Sequence, residues 1–348
     1  MELSRTINSD KRYYLDENTI ENAASFLQTM RVFNDAKIDL YNALYDQKYL
    51  ASEPLIDHAY PVFLKEKYKT NDYYNAAIYS AASGSLSSQK ELKKYYSTTI
   101  TADLKTRDEK IQTIQEALYK KKAVKNSIRI YRKDGRWVTP YPRCQLKVKG
   151  LMIVLFNKTV VKLDEYERSV EADIRKLKTR LALVTEARKR KEKKLENIKN
   201  LPPERIVFGG KKLYSEKDTV GITKSAEDNK TSQKALKEWK QDFFEKRHQS
   251  MALPGRHTSK YGNFLCKYDG KDLSVTCIDG TTTVFHDFKL PRYNEAFQNN
   301  FTCKPEDRQS ICYNFTVKRD RKNRQYIIVS VTMKLQAYEN SYYGNGAI

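Results

Sequence analysis

The sequence predicts an α+β protein in which helical and β stretches are segregated along the chain and a long coiled-coil-like helical arm separates them. Three observations predict it. Apolar residues recur at threes and fours from Ile20 to Leu44 and again toward Leu118. A seam of alternating four- and three-residue steps runs from Val170 to Ile198. From Tyr261 onward, alternating stretches punctuated by turn residues dominate. A length of 348 residues, 39% hydrophobic and 31% charged, suits two or three domains with real cores and extensive solvated surface.

Each element follows in chain order. Glu2 to Asn8 alternates as a short strand, with Leu3, Arg5 and Ile7 on one face. Asp16 or Asn18 is positioned to cap a helix. Thr19 to Tyr49 then reads as one amphipathic helix or a pair, followed by a break bracketed by Pro54 and Pro61. Helical patches at 62–68, 72–82, 88–95 and 103–121 complete a small bundle. Near Lys125 the texture changes. SIRIYRKDGRWVTP has Ile128 and Ile130 in alternation and Asp134-Gly135 as a turn, which predicts a hairpin. Two further strands are expected around Gly150, with LMIVLF (151–156) as the longest apolar run.

Leu163 to Leu201 carries the heptad seam: Val170, Ile174, Leu177, Leu181 and Val184, then Arg188 and Lys191 in register, then Leu195 and Ile198. Pro202-Pro203 ends it. RIVFGGKKLYSE reads as extended chain turning at Gly209-Gly210, with Lys211 and Lys212 exposed. The polar stretch 219–232 reads as a mobile loop, and 234–247 as an amphipathic helix carrying Trp239 and Phe243. The rest reads as β, ending in a long hairpin of 313–318 and 325–335 around the charged tip RDRKNR.

Charge sets the function class. Sixty-five Lys and Arg against 43 Asp and Glu give +22, with a pI near 9.5 and 25 tyrosines. Such a surface attracts polyanions, and tyrosine rings offer platforms for unpaired bases. Between Lys120 and Arg136 there are eight Lys or Arg and one Asp. The N-terminus lacks a signal-peptide core and no run is long enough for a bilayer, so the expected location is the cytoplasm. The cysteines (Cys144, Cys266, Cys277, Cys303, Cys312) have no CxxC spacing, and neither a disulfide framework nor a zinc site is expected. GxSxG, HExxH and a Walker loop are absent, and no catalytic group or metal site is assigned.

Three stretches carry a family resemblance: TNDYYNAAIYSAASGSLSSQKEL (70–92), RKRKEKKLENIKN followed by ERIVFGGKKLY (188–214), and ALKEWKQDFFEKRHQSMALPGRHTSKYGN (235–263) with Trp239, Gly255 and Gly262-Asn263. With the element order, they make the chain resemble the N-terminal recognition half of TnpB-related proteins. These are RNA-guided DNA endonucleases encoded by insertion sequences and related to compact type V CRISPR effectors. The resemblance implies an OB-like wedge β-barrel with an inserted helical recognition lobe. The expected parts are a first wedge strand (1–15), a helical recognition lobe (16–122), wedge barrel (123–162), a helical arm and insertion (163–250), and more wedge barrel (251–348). In this family a segment like the final YYGNGAI leads into the RuvC nuclease domain. The RuvC carboxylates therefore have no counterpart here, and Mg2+ is expected only for that domain.

The implied partners are a guide RNA, a target DNA and a separate or downstream RuvC nuclease half, in a prokaryotic, nucleoid-associated setting. Base pairing would read sequence while the protein reads shape and a short flanking motif. Candidate phosphate contacts are Lys120, Lys121, Lys122, Arg129, Arg132, Lys133, Arg136, Arg188, Lys189, Arg190, Lys211, Lys212, Arg319, Arg321, Lys322 and Arg324. Candidate readers of the flanking motif are Tyr73, Tyr74, Asn75 and Gln89, since amides bond adenine edges and tyrosines pack on sugars or thymine methyls. The plainer reading of the tyrosine pair is helix packing, and of the lysines, solubility. Two alternatives stand beside this function: a nuclease-inactive RNA-guided DNA-binding repressor, and a structural nucleic-acid-binding scaffold assembled through the heptad arm.

Overall fold

The computed structural model describes residues 2–50, 60–217 and 226–336. The chain is mixed helix and antiparallel sheet, and divides into two compact units, one from Met1–Ser88 with Glu204–Ile348 and one from Gln89–Pro203.

In the first unit, β1 (Glu2–Asn8) pairs with β12 (Gln325–Gln336), which pairs with β11 (Cys312–Arg319), which pairs with β7 (Ser250–Leu253). β2 (Tyr13–Tyr14) joins β12 as a fifth strand. The first and last described strands thus lie side by side, with Leu3 opposite Leu335 and Ile7 opposite Val331. A second sheet runs β3 (Ile20–Glu21), β10 (Thr282–Phe285), β9 (Leu273–Thr276), β8 (Cys266–Tyr268). Helix α1 (Ala23–Tyr49) contacts both β7 and β10. Its Phe26 meets Phe285 and Phe315 edge-on at 5.2 and 4.9 Å, so a single aromatic side chain links the two sheets. The helix begins later than either predicted cap. Residues 15–19 turn and Ile20–Glu21 pair with β10 first. Asn22 then sits at φ 53° and sends its amide to the Thr282 carbonyl instead of capping the helix.

Helix α2 (Tyr60–Tyr68) buries Leu64. Helix α3 (Asp72–Asp134) is one helix of 63 residues where three patches and half a hairpin were expected. No proline interrupts it. Its many hydroxyls bond back to the carbonyl four residues earlier, as from Ser83 to Tyr79, Ser85 to Ala81, Thr98 to Lys94 and Thr101 to Ser97, so they do not compete with the helix. The alternation of Ile128 and Ile130 was misleading. Val124 and Ile128 are the buried residues, four apart on one helical face, while Ile130 is only half-buried. Asp134-Gly135 ends the helix rather than turning a hairpin. Gly135, at φ 65°, donates its N–H to the Tyr131 carbonyl.

In the second unit, α4 (Leu163–Asn200) has its whole predicted seam, from Val170 to Ile198, buried or half-buried. Helix α3 runs antiparallel beside it. Arg132 pairs with Asp164, Lys125 with Glu171, Lys121 with Asp173, Asp108 with Arg188 and Asp103 with Lys191, each advance along α3 matched by a retreat along α4. The heptad seam is therefore occupied within the chain. At the other end of α4 three short strands follow one another: β4 (Lys147–Lys149), β5 (Met152–Val154) and β6 (Val160–Lys162). They form a sheet of their own. No barrel closes among the described residues, and the expected barrel segment 123–162 divides between helix and this small sheet.

Helices α5 (Lys211–Ser215), α6 (Ala226–Arg247) and α7 (Asn294–Thr302) complete the first unit. Helix α6 starts inside the stretch read as a loop, the remainder of which (219–225) lies outside the described residues. Helix α7, with Phe297 buried, was read as β.

Candidate nucleic-acid interface

Parts of the three stretches that carry the resemblance, 70–88, 204–214 and 235–263, belong to the first unit and contribute to its core. Tyr74 is fully buried and donates its hydroxyl to the Thr276 carbonyl at 2.7 Å, while burial pushes its phenol well above the ordinary range. Asn75 is buried and accepts from the Thr70 hydroxyl. Gln89, in the other unit, is also buried. These three residues do not offer edges to a flanking motif. Tyr73 does present a ring: it is 46% exposed and stacks on Phe264 at 4.6 Å. Trp239 donates its indole N–H to the Leu213 carbonyl at 2.7 Å and stacks on Phe243. Gly209, at φ 97°, lies where a Cβ would meet Phe243 and Arg247 at 2.9 Å. The FGGKKLY segment is thus held against α6, and its glycine allows the close approach.

The phosphate-contact candidates separate into two groups. Lys121 is bonded to Asp173, Arg132 to Asp164 and Glu167, and Arg188 to Asp108 and Glu192. Arg190 pairs with Glu186, Lys211 with Glu204, and Arg319 with Glu245. Arg324 pairs with Asp320 and Glu17 and lies 4.2 Å above the Tyr14 ring. Hydrogen bonds to these carboxylates, Asp164 and Asp108 first, raise the Arg132 and Arg188 guanidinium pKa values. Of these cations, Lys121, Arg132 and Arg188 link α3 to α4 and Arg319 links β11 to α6, while Arg190 pairs within α4. By contrast Lys120, Lys122, Arg129, Lys133, Arg136, Lys189, Lys212, Arg321 and Lys322 make no ion pair with a described residue. Lys122, Arg129 and Lys133 are exposed and, at spacings of seven and four, share one face of α3 over about 16 Å. Such a stripe can neutralise successive phosphates but offers no acid–base pair.

Other surface aromatics were not singled out from the sequence. Tyr95, Tyr96 and Tyr119 on α3 are 65%, 53% and 65% exposed. The signal was the preponderance of tyrosine, which composition gives without position. Among the described residues no group of His, Cys, Asp or Glu could hold a metal ion, and no helix is long and apolar enough to cross a membrane.

One titrating cluster lies on the first unit. His286 directs Nδ1 to Asp272 at 3.0 Å and Nε2 to Glu21 at 3.1 Å. The hydrogen bond to Asp272, then the charges of both carboxylates, raise its pKa above 6.5 despite some burial. A raised folded-state pKa gives stabilisation that is complete below the unfolded value and lost as pH rises through the folded one. His286→Gln is therefore expected to lower the urea midpoint clearly at pH 6 and much less at pH 9; an equal loss at both would refute the charged pairing. Compared with protein-family models, curated proteins and solved structures, the chain gives no match to any of them.

Proposed function

We propose that the chain is the guide-RNA- and target-DNA-binding part of a TnpB-like RNA-guided DNA endonuclease. The observation that carries the nucleic-acid reading is the set of exposed cations left without an ion pair in the second unit, above all the Lys122, Arg129 and Lys133 stripe. A surface with this excess releases counterions when it takes up a phosphate backbone. The TnpB-like part of the reading rests on the motif stretches and on element order: a first strand paired with the last described strand, with a helical hairpin inserted between them. In this reading the antiparallel sheets of the first unit serve the role of the wedge, OB-like in its topology, and the second unit that of a recognition lobe. In this reading DNA cleavage belongs to a RuvC domain and its Mg2+.

The occupied seam of α4 disfavours the scaffold alternative, since α3 already fills the face through which a partner helix would dock. Titration of a structured RNA tests the main reading. Log affinity is expected to fall linearly and steeply with log salt, and Lys122→Gln with Arg129→Gln and Lys133→Gln to flatten the slope by roughly 2–3. A chain with no affinity for RNA at low salt would overturn it.

A further inference from the structure

The small sheet at the end of the α3–α4 hairpin has a face that nothing in its unit covers. Val148, Ile153 and Val161 lie opposite one another and point inward, Ile153 fully buried in the cluster with Ile128, Leu163 and Val170. The outward face consists of two rows across the strands, Lys149–Met152–Lys162 and Lys147–Val154–Val160. Its two turns each hold up an apolar residue. Leu151, after Gly150 in a two-residue turn, is 81% exposed, and Phe156 is 78% exposed. The Phe156 turn is well ordered by hydrogen bonds: Lys158 N–H to the Leu155 carbonyl and Leu155 N–H to the Thr159 carbonyl. From 135 to 163 there is no Asp or Glu, and Arg136, Arg143, Lys147, Lys149, Lys158 and Lys162 supply six cations.

We propose that this face binds a nucleic acid with unpaired bases, with Phe156 stacking on or wedging between bases and Lys147, Lys149 and Lys162 taking the flanking phosphates. The wholly cationic rim requires an anionic occupant and disfavours a second copy of this chain. Alternation decides between occupants. Leu151 and Phe156 stand about 16 Å apart at opposite ends of β5, with lysines between them. A flat bilayer would have to bury those lysines with the apolar tips, whereas a nucleic-acid strand presents bases and phosphates in the same alternation. Apolar wedges and aromatic platforms beside lysines are a recurrent means of holding such strands. The proposal takes its ligand class from the nucleic-acid reading above but depends on different residues.

The test is fluorescence-anisotropy titration of the full chain with a labelled oligouridine of about 20 nucleotides over a range of salt. Phe156→Ala is expected to weaken binding about tenfold with the salt slope unchanged, because a stacked base and no phosphate contact is lost, and Phe156→Trp to restore it. Lys147→Gln, Lys149→Gln and Lys162→Gln together are expected to flatten the slope by about 2. Unaltered affinity in Phe156→Ala, an unaltered slope in the lysine variant, or Phe156-dependent uptake by phosphatidylserine vesicles would overturn the proposal. If wild type binds and the tip variants match it, only this proposal fails; if wild type does not bind, the nucleic-acid reading fails with it.

Discussion

Asn263→Ala is expected to cost roughly 3–5 kcal/mol of stability, among the largest effects of any side-chain truncation in the chain. Asn263 is buried, and its amide joins three segments. Its Nδ2 donates to the carbonyls of Leu253 at the end of β7 and Ile311 ahead of β11, at 3.0 and 3.1 Å. Its Oδ1 accepts from the N–H groups of Leu265 and Cys266, where β8 begins, at 2.9 and 3.1 Å. Alanine leaves these backbone groups buried without their partner, and glutamine, which has the same two donors and one carbonyl, carries them one methylene farther from the backbone. Aspartate is expected to fail as well, since it keeps the acceptor and loses the donors. The urea midpoint checks this: a loss below about 1 kcal/mol would show that the groups find other partners.

Gly255→Ala is expected to be comparably damaging through sterics. A Cβ there would lie 2.3 Å from both the N and O of Ile311 and 2.4 Å from the O of Gly262. All three are backbone atoms, and the Gly262 carbonyl is fixed by the Arg256 and Ile311 N–H groups at 2.9 and 3.0 Å. Relief therefore requires moving a loop that the Asn263 clamp also holds, at an expected cost of about 3 kcal/mol or more. Gly84→Ala is the matched control, because its Cβ would meet nothing within 4 Å and the site is helical. There alanine is expected to be neutral or stabilising. Equal effects at the two glycines would refute the steric argument.

These two positions explain much of what was legible in the sequence. Gly255 and Gly262-Asn263 stood out as motif residues, and the structure gives them a fold-holding role around β7, β8 and β11. Tyr74 and Asn75 likewise stood out and are buried packing residues, so a motif marked where the chain is constrained and not what it contacts. The seam of α4 was legible residue by residue because heptad spacing is local. The closing hairpin was legible for the same reason. The pairing of β1 with β12 was not, since the partner strands lie at opposite ends of the described chain. Segment 123–134 was misread because Ile128 and Ile130 satisfy a strand period while Val124 and Ile128 satisfy a helical one, and only the packing beside α4 selects between them. Which of the cationic candidates are paired was not legible, since carboxylates such as Asp173, Asp164 and Asp108, which hold Lys121, Arg132 and Arg188, lie far along the chain.

The most direct measurement is recovery of nucleic acid from the full chain purified gently at low salt, followed by sequencing. The expected result is a discrete, structured RNA bound in near-stoichiometric amount and released by high salt, with ultraviolet crosslinks in the second unit near Lys122, Arg129 and Lys133. Protein that emerges free of RNA and does not bind RNA when it is added back would contradict it.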